Sequence, residues 1–359
     1  MADRFLSKDR TIMPAEYEQH RATLMLFPYR PDTWREEALP ARMAFSCVAN
    51  IISLSEKVYM GVRKEDKSKA ARLLSPAVEL IELEYNDAWM RDAGPTFVRG
   101  GENELFGIDW NFNAWGGEAD GLYPDWEADN RLAGQILERF HYKKIKLRTT
   151  IEGGALSING RGTLIAVEEC VLNTNRNKDI TKSEMEALFN KHLGIEKVIW
   201  LPLGVYNDET DGHTDNMCCF VSPDKVLLTW TDDTGEPQYE RSNTAYNILK
   251  SATDAEGNRL NVEKIQQPGP LYLKPEESAG IESGSAVERP AGTRLAASYI
   301  NFYITNRIVV MPVFNDRHDK EAVETIKRNF PNRRVIPVYS REILIGGGNI
   351  HCITQQIPL

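Results

Sequence analysis

Short apolar runs separated by polar turns recur along the whole chain, and each run is typical of a β-strand. Patterns with helical spacing lie between these runs, so strands and helices alternate as they do in α/β proteins. Thr181 and Glu184 have the spacing of a capping box at one helix start, and Asp32 precedes another. The pattern predicts strands at 22–29, 58–62, 78–83, 105–109, 163–167, 197–201, 226–229 and 308–313, and helices at 34–55, 130–140, 181–193, 243–251 and 320–329.

The domain organisation is simple. No Pro- or Ser-rich linker and no abrupt change of composition divides the 359 residues. A chain of this length with 42% hydrophobic residues can bury a large core. We therefore expect a single compact domain over residues 1–359.

Composition and charge exclude several function classes. The formal net charge of -9, without clustered Lys and Arg, argues against a nucleic-acid partner and weakly favours a cationic ligand. No apolar run approaches the roughly 20 residues of a membrane span, and no secretory signal pattern begins the chain. Five cysteines, an odd number without disulfide-like spacing, fit a reducing compartment. We expect a cytoplasmic protein without a membrane partner.

Cys352 is the cysteine with the strongest indication of chemistry. It follows Gly346, Gly347 and Gly348, and three successive glycines indicate backbone that turns sharply or packs closely against a ligand. We interpret Cys352 as a nucleophile just past that turn. The other four cysteines are expected to be small, inert hydrophobes in the core: Cys47, Cys170, Cys218 and Cys219.

Three upstream segments contain acidic residues that suit a cationic ligand. The first has Trp89 and Asp92 before a Gly-Pro turn, and the second has Glu152 before paired glycines. In the third segment four acids surround His213. In a strand, His213 and Asp215 would point to the same face and meet one ligand together. Taken alone, the first segment is better explained by a solvated charge pair beside a core tryptophan, and the second by an exposed strand terminus.

A metal site is the alternative interpretation of the third segment. His213 and Asp215, with the nearby Cys218 and Cys219, offer plausible ligand types. Neither a CxxC nor an HxxxH spacing supports such a site, so we expect no metal.

Together, the three segments and Cys352 suit a guanidinium substrate. Two carboxylates can hold the planar cation bidentately, and a thiolate can attack its central carbon. A histidine can deliver protons to the departing nitrogen.

Four motifs make the chain similar to the agmatine deiminase family. They are Trp89-Met90-Arg91-Asp92, Glu152-Gly153-Gly154, the stretch 206–216 and the stretch 346–356. The connecting stretches 199–202 and 295–303 resemble the family too, so the similarity covers nearly the whole chain. Local departures at Ala93 and Ala155-Leu156-Ser157 leave the matched catalytic positions unaltered.

The resemblance implies the α/β pentein fold, a five-bladed propeller of ββαβ units with the active site at its centre. It implies hydrolysis of agmatine to N-carbamoylputrescine and ammonia through a covalent amidino-cysteine, without a cofactor, in a homo-oligomer. By motif position, Cys352 matches the nucleophile and His213 the general acid/base. Asp92 and Asp215 match the guanidinium-binding carboxylates, and Glu152 matches the carboxylate that holds the histidine and borders the substrate.

The implied substrate pocket has Trp89 as its aromatic wall and Gly348 against the substrate. Agmatine ends in an ammonium, for which Glu209, Asp208 or Asp211 are candidate partners. Deimination of free or peptidyl arginine stays open as an alternative, as does a non-catalytic polyamine- or guanidine-binding protein. A dimanganese ureohydrolase is disfavoured, because the sequence has no His- and Asp-rich cluster of the required kind. The pathway, agmatine catabolism or putrescine biosynthesis, also stays open.

Overall fold

The computed structural model describes residues 11–101 and 104–359, so residues 1–10 and 102–103 of the expected domain lie outside the described part. The strands are β1 His20–Leu26, β2 Lys57–Val62, β3 Val78–Glu82, β4 Thr96–Arg99, β5 Leu105–Asn111, β6 Lys143–Thr150, β7 Ser157–Ile158, β8 Thr163–Val167, β9 Lys197–Leu201, β10 Cys218–Ser222, β11 Lys225–Trp230, β12 Asn261–Gln266, β13 Leu271–Tyr272, β14 Arg294–Leu295, β15 Tyr303–Ile304, β16 Ile308–Val313, β17 Arg334–Tyr339 and β18 Thr354–Pro358. The helices are α1 Leu39–Ile52, α2 Lys67–Leu73, α3 Met90–Ala93, α4 Gly117–Asp120, α5 Glu127–Arg139, α6 Glu168–Val171, α7 Lys182–Leu193, α8 Thr214–Met217, α9 Gln238–Ser251, α10 Pro275–Ser278, α11 Asp319–Asn329 and α12 Arg341–Leu344.

Five sheets within the described ranges repeat one connection pattern. A first strand pairs antiparallel with a second, and a helix then crosses to a third strand that lies parallel to the second. A parallel pair requires such a crossover, because a short hairpin reverses the chain direction. The ββαβ units are β4-β5-α5-β6, β7-β8-α7-β9, β10-β11-α9-β12, β15-β16-α11-β17 and β18-β1-α1-β2, with β3 added to the edge of the last.

The last strand of the chain pairs with the first. In this antiparallel ladder Met25 faces Thr354 and His20 faces Pro358. The ββαβ unit that contains β1 and β2 therefore takes its first strand, β18, from the other end of the described chain. This pairing places Cys352, two residues before β18, beyond the Leu26 end of β1.

Buried apolar side chains form three clusters between the sheets and helices. The middle strand of a unit is covered on both faces, and β8 is buried at every residue. Such strands read as continuous apolar runs in the sequence. None of the helices in the described part of the chain has the length and apolarity that a membrane span needs.

The predicted elements are all found, with the bounds 163–167, 197–201 and 308–313 reproduced. The capping box of Thr181 and Glu184 is confirmed by hydrogen bonds in both directions. The predicted start of helix 34–55 is wrong, because Glu36, Glu37 and Ala38 have positive φ and interrupt it. Asp32 is not a cap. Its carboxylate instead accepts hydrogen bonds from the backbone of Ser285 and Ala286.

Candidate active site

The short segments that precede the first strands of successive units carry the predicted site residues. These strands occupy equivalent positions in a repeated unit, so their leading segments converge. All five predicted catalytic side chains are buried there. The residues are Asp92 before β4, Glu152 before β7, His213 and Asp215 before β10, and Cys352 before β18.

His213 and Asp215 do not lie in a strand. Thr214–Met217 is one helical turn, and His213 is the extended residue at its start. Both side chains nevertheless reach the same point, because an added Cβ on Gly154 would lie 2.5 Å from His213 Nδ1 and 3.0 Å from Asp215 Oδ2. The helical turn therefore brings the His213 and Asp215 side chains to one point, as a strand would also have done.

The thiol of Cys352 lies between an amide and a carboxylate. The Nδ2 of Asn301 donates a hydrogen bond to Cys352 Sγ at 3.2 Å, and the Oδ2 of Asp215 lies 3.6 Å from the same sulfur. Burial raises the pKa of Cys352 well above its usual value, and the charges of Asp215 and Asp92 raise it further. Without a cation in the pocket, the sulfur is therefore a neutral thiol at pH 7.

Asp92 is held by two N–H donors and faces a histidine. The indole Nε1 of Trp115 donates to Asp92 Oδ2 and the backbone N–H of Gly154 donates to Oδ1, both at 3.0 Å. His213 Nδ1 lies 3.7 Å from Asp92 Oδ2. Burial raises the pKa of Asp92 to about 6, an effect that His213 only partly offsets. Asp92 is thus ionised at neutral pH, although by a narrow margin.

Glu152 joins His213 to a buried arginine. Arg176 Nε donates to Glu152 Oε1 at 2.9 Å, and Glu152 Oε2 lies 3.7 Å from His213 Nε2. Burial would raise the pKa of Glu152, but Arg176 and His213 outweigh it and hold the pKa at about 2. Burial would likewise lower the pKa of His213, whereas Asp92 and its other neighbours raise it well above the usual value. His213 is therefore an imidazolium placed between two carboxylates.

The group of potential metal ligands differs from the expected one. Within the described residues, Glu152, Cys170 and His213 have ligand atoms within 4.8 Å of one another, whereas Cys218 and Cys219 are not in this group. The guanidinium already bound to Glu152 opposes a second cation at that point. The expectation of inert core cysteines is wrong for Cys47, which is exposed.

Trp89 packs directly against Gly348, in the glycine segment that precedes Cys352. A Cβ on Gly348 would lie 2.4 Å from the ring of Trp89 and 3.1 Å from Cys352 Cβ, so only glycine fits there. Asp87 accepts hydrogen bonds from the indoles of Trp89 and Trp34, at 3.1 and 3.0 Å. The Trp89 indole is therefore fixed in orientation by a buried carboxylate.

The acids proposed for the distal ammonium all have partners in the chain. Arg289 binds Glu209 bidentately, with Nε 2.7 Å from Oε1 and Nη2 2.6 Å from Oε2. Asp211 pairs with Arg176, and Asp208 accepts hydrogen bonds from Thr210 and Asn216. Glu209 adjoins the glycine segment that precedes Cys352, since a Cβ on Gly347 would lie 2.6 Å from Glu209 Oε2.

Sequence reasoning missed several residues of this site. Cys352 is contacted by Asn301, Glu152 by Arg176 and Asp92 by Trp115, and each partner lies more than 20 residues away in the sequence. Asn301 lies two residues before β15, the place that Cys352 occupies before β18, so the unit repeat would have pointed to it. Arg176 and Trp115 carry no local pattern of this kind.

Comparison with known proteins places this geometry in a family. A protein of Pectobacterium atrosepticum named a putative agmatine deiminase is 48% identical over 351 residues, which cover 98% of this chain and 95% of that protein. A protein of Mycoplasma capricolum with the same name is also 48% identical, with 98% and 96% covered. The solved agmatine deiminase of Enterococcus faecalis superposes with a TM-score of 0.94 at 37% identity over 99% of each chain.

The superposition and the five ββαβ units confirm the expected pentein fold. The family model of the Porphyromonas-type peptidyl-arginine deiminases matches residues 12–358. The chain belongs to the Porphyromonas-type peptidyl-arginine deiminase family.

Proposed function

We propose that this protein is an agmatine deiminase that hydrolyses agmatine to N-carbamoylputrescine and ammonia. The observation that carries the proposal is the pair of carboxylates next to the Cys352 thiol. Asp92 and Asp215 are buried beside Cys352, and among the described residues neither has a lysine or arginine partner. Asp215 Oδ1 is buried without a hydrogen-bond partner. Each of the two carboxylates faces a histidine and keeps acceptor directions free, so a planar guanidinium can bind both while presenting its carbon to the sulfur.

The bound cation prepares the nucleophile. Its positive charge offsets the two carboxylates that raise the pKa of Cys352, so the thiol loses its proton to solvent and the thiolate forms as the substrate enters. The sulfur then attacks the guanidinium carbon and a C–S bond forms. His213, already an imidazolium, donates a proton to one terminal nitrogen, and the C–N bond breaks to release ammonia. The remaining amidino group stays bonded to the Cys352 sulfur as an S-alkylthiouronium cation.

The second half of the reaction reverses the role of the histidine. His213, now neutral, takes a proton from a water molecule that attacks the amidino carbon. The C–S bond breaks, the Cys352 thiolate leaves and takes up the remaining hydroxyl proton, and the carbon keeps the new oxygen as the urea carbonyl of N-carbamoylputrescine. Glu152 stabilises the imidazolium form that precedes each turnover, because its carboxylate lies 3.7 Å from His213 Nε2.

The far end of the substrate is an ammonium, and Glu209 is the proposed partner. Arg289 occupies part of this carboxylate, but about a quarter of the Glu209 side chain, 24%, remains exposed. A carboxylate has roughly four lone-pair directions, so it can accept an ammonium beside the guanidinium. Free arginine would bring a carboxylate close to Glu209 and be repelled. This favours agmatine over the arginine deiminase alternative.

The remaining features of the proposed enzyme concern its assembly. We propose one catalytic domain, since β18 pairs with β1 and joins the first and last described strands in one sheet. We also propose a homo-oligomer, as the resemblance implies, which light scattering after gel filtration would test. The free cysteines of the described part fit a cytoplasmic location. The net charge of -9 is unfavourable for nucleic acid.

The test is mass spectrometry of intact protein quenched during turnover of agmatine, with ammonia, urea and N-carbamoylputrescine assayed in the same sample. An amidino increment on Cys352, with release of ammonia and N-carbamoylputrescine, is expected. Cys352→Ser should bind agmatine but lose turnover by at least about 1000-fold, because an alcohol is a weaker nucleophile at neutral pH. Urea without an adduct, or equal turnover of arginine and agmatine, would overturn the proposal. Binding without any product would indicate a binding protein.

A further inference from the structure

Behind the nucleophile, His351 lies between two carboxylates. Its Nδ1 is 2.8 Å from Asp215 Oδ2, and its Nε2 is 2.8 and 3.0 Å from the two oxygens of Glu16. A neutral imidazole has one N–H and can donate to only one carboxylate. The imidazolium has two N–H groups and satisfies both contacts. The geometry therefore requires a protonated His351.

Glu16 is held in its ionised form from the other side. Arg91 Nη1 lies 3.1 Å from Glu16 Oε1, and Arg91 Nε contacts the His351 carbonyl oxygen at 3.4 Å. Burial would raise the pKa of Glu16, but Arg91 and His351 outweigh it and hold the pKa at about 2. His20 also faces Glu16, and its positive form lowers the pKa of Glu16 further.

The charges around His351 favour its protonated form. Burial and the cation of Arg91 would lower the pKa of His351, but Glu16 and Asp215 outweigh them and raise it. The groups that face the imidazole are thus one cation and two anions. A small cavity beside it has a volume of about 20 Å³, which is space for one water molecule. Cys219 lines this cavity and adds no charge as a thiol.

The contact with His351 gives the two carboxylate oxygens of Asp215 different surroundings. Oδ2 accepts from the imidazolium and lies 3.6 Å from the Cys352 sulfur, whereas Oδ1 is buried without a partner. A carboxylate fixed at one oxygen can present the other in a single direction. The positive charge of His351 also offsets that of Asp215, which opposes formation of the thiolate.

We propose that His351 is a positioning residue, and that Glu16 keeps it protonated so that it orients the Asp215 carboxylate toward a guanidinium. Neither side chain touches the reacting carbon. The inference rests on the proposed function for its kinetic consequence, but the protonation of His351 is a property of the free protein. The segment before β1, which no catalytic motif includes, thereby becomes part of the active site.

The first measurement requires no substrate. Nitrogen-15 spectra of histidine-labelled protein, which has six histidines, report the protonation of His351 between pH 6 and 8. In wild type both ring nitrogens should be protonated at pH 7, and His351 should lose its proton at a higher pH than a free imidazole, because its pKa is raised. In Glu16→Gln the imidazolium loses one of its two anionic partners, so His351 should titrate at a lower pH. A neutral His351 in wild type at pH 7, or an unchanged titration in Glu16→Gln, would overturn the proposal.

The second measurement is the pH profile of kcat/KM for agmatine. Glu16→Gln should lower kcat/KM by about tenfold or more, mostly through KM, because a charge-assisted hydrogen bond is lost. Its alkaline limb should move to lower pH, where His351 now loses its proton. Glu18→Gln is the matched control, since Glu18 pairs with Arg99 at 3.0 Å and should change kcat/KM by less than about twofold.

The two measurements separate the possible failures. If wild type does not turn over agmatine, the proposed function fails, and the nitrogen-15 result still decides the state of His351. If a Glu16→Gln variant does not fold, the wild-type spectra still test the proposal, because a neutral His351 at pH 7 would overturn it. Equal losses in Glu16→Gln and Glu18→Gln, without a shift of the pH profile, would show a merely structural role and refute the positioning of Asp215.

Discussion

Substitution of Gly154 by alanine should disable the site without changing any charged residue. An ideal Cβ at this position would lie 2.5 Å from His213 Nδ1 and 3.0 Å from both Asp215 Oδ2 and Asp92 Oδ1. Ordinary contact begins at 3.4 Å, so His213 must move by about 0.9 Å, the difference between 3.4 and 2.5 Å. Gly154 is absent from the positive-φ residues, so backbone strain does not contribute.

The expected loss follows from that displacement. A misplacement of about 1 Å in a catalytic group can cost on the order of 100-fold, which corresponds to about 2.7 kcal/mol of transition-state stabilisation. Initial rates of ammonia release from agmatine give kcat/KM, and thermal unfolding monitors the fold. Gly235→Ala is the control, because its Cβ would meet only the end of the Asp233 side chain at 3.3 Å. Activity of Gly154→Ala within about threefold of wild type would refute the reasoning.

Three further predictions concern pKa values and buried charge. First, kcat/KM for agmatine should fall as pH drops below about 6, because Asp92 has its pKa raised to about 6 and its protonated form cannot hold a guanidinium. Asp92→Asn should remove that limb and be less active at every pH, and a wild-type profile that is flat down to pH 5 would contradict the assignment. Second, alkylation of Cys352 by iodoacetamide in the free protein should be slow at pH 7 and still rising above pH 9, since burial raises the pKa of this thiol. Peptide mapping measures this, and a rate plateau near pH 7 would show a preformed thiolate. Third, Arg176→Ala should lower the free energy of unfolding by about 3–5 kcal/mol, because it leaves Glu152 buried without its partner. Urea denaturation measures this loss, and Arg161→Ala, which breaks an exposed pair at 3.6 Å, should cost less than about 0.5 kcal/mol.

Local pattern determined most of the secondary structure. The strand 163–167 is a continuous apolar run, and its bounds in the structure are the predicted ones because both of its faces are buried. The helix that follows Thr181 begins where its capping box predicts, since that signal spans only four residues. The short strands β7 and β15, two residues each, have no such signal and were not predicted. Their existence depends on pairing with neighbours.

For the candidate site, the sequence indicated the reactive residues, whereas the structure was needed to find the partners that set their charge. The motifs identified Cys352, His213, Asp92, Asp215 and Glu152 by residue type and resemblance, and the structure brings all five into one buried site. The partners that set their charge could not be read from the chain. Glu152 is 24 residues from Arg176, and His351 is 335 residues from Glu16.

The sequence by itself thus determined the alternation of strands and helices, the acidic character of the candidate site and the candidate nucleophile, because these depend on residue type and short spacing. Tertiary structure alone decided that Glu36 to Ala38 interrupt the first helix, that β18 closes onto β1, and which charges face each other. Those outcomes depend on contacts between segments far apart in the chain. Charge state in particular follows from burial and from the nearest ionised neighbour, and both are properties of the folded molecule.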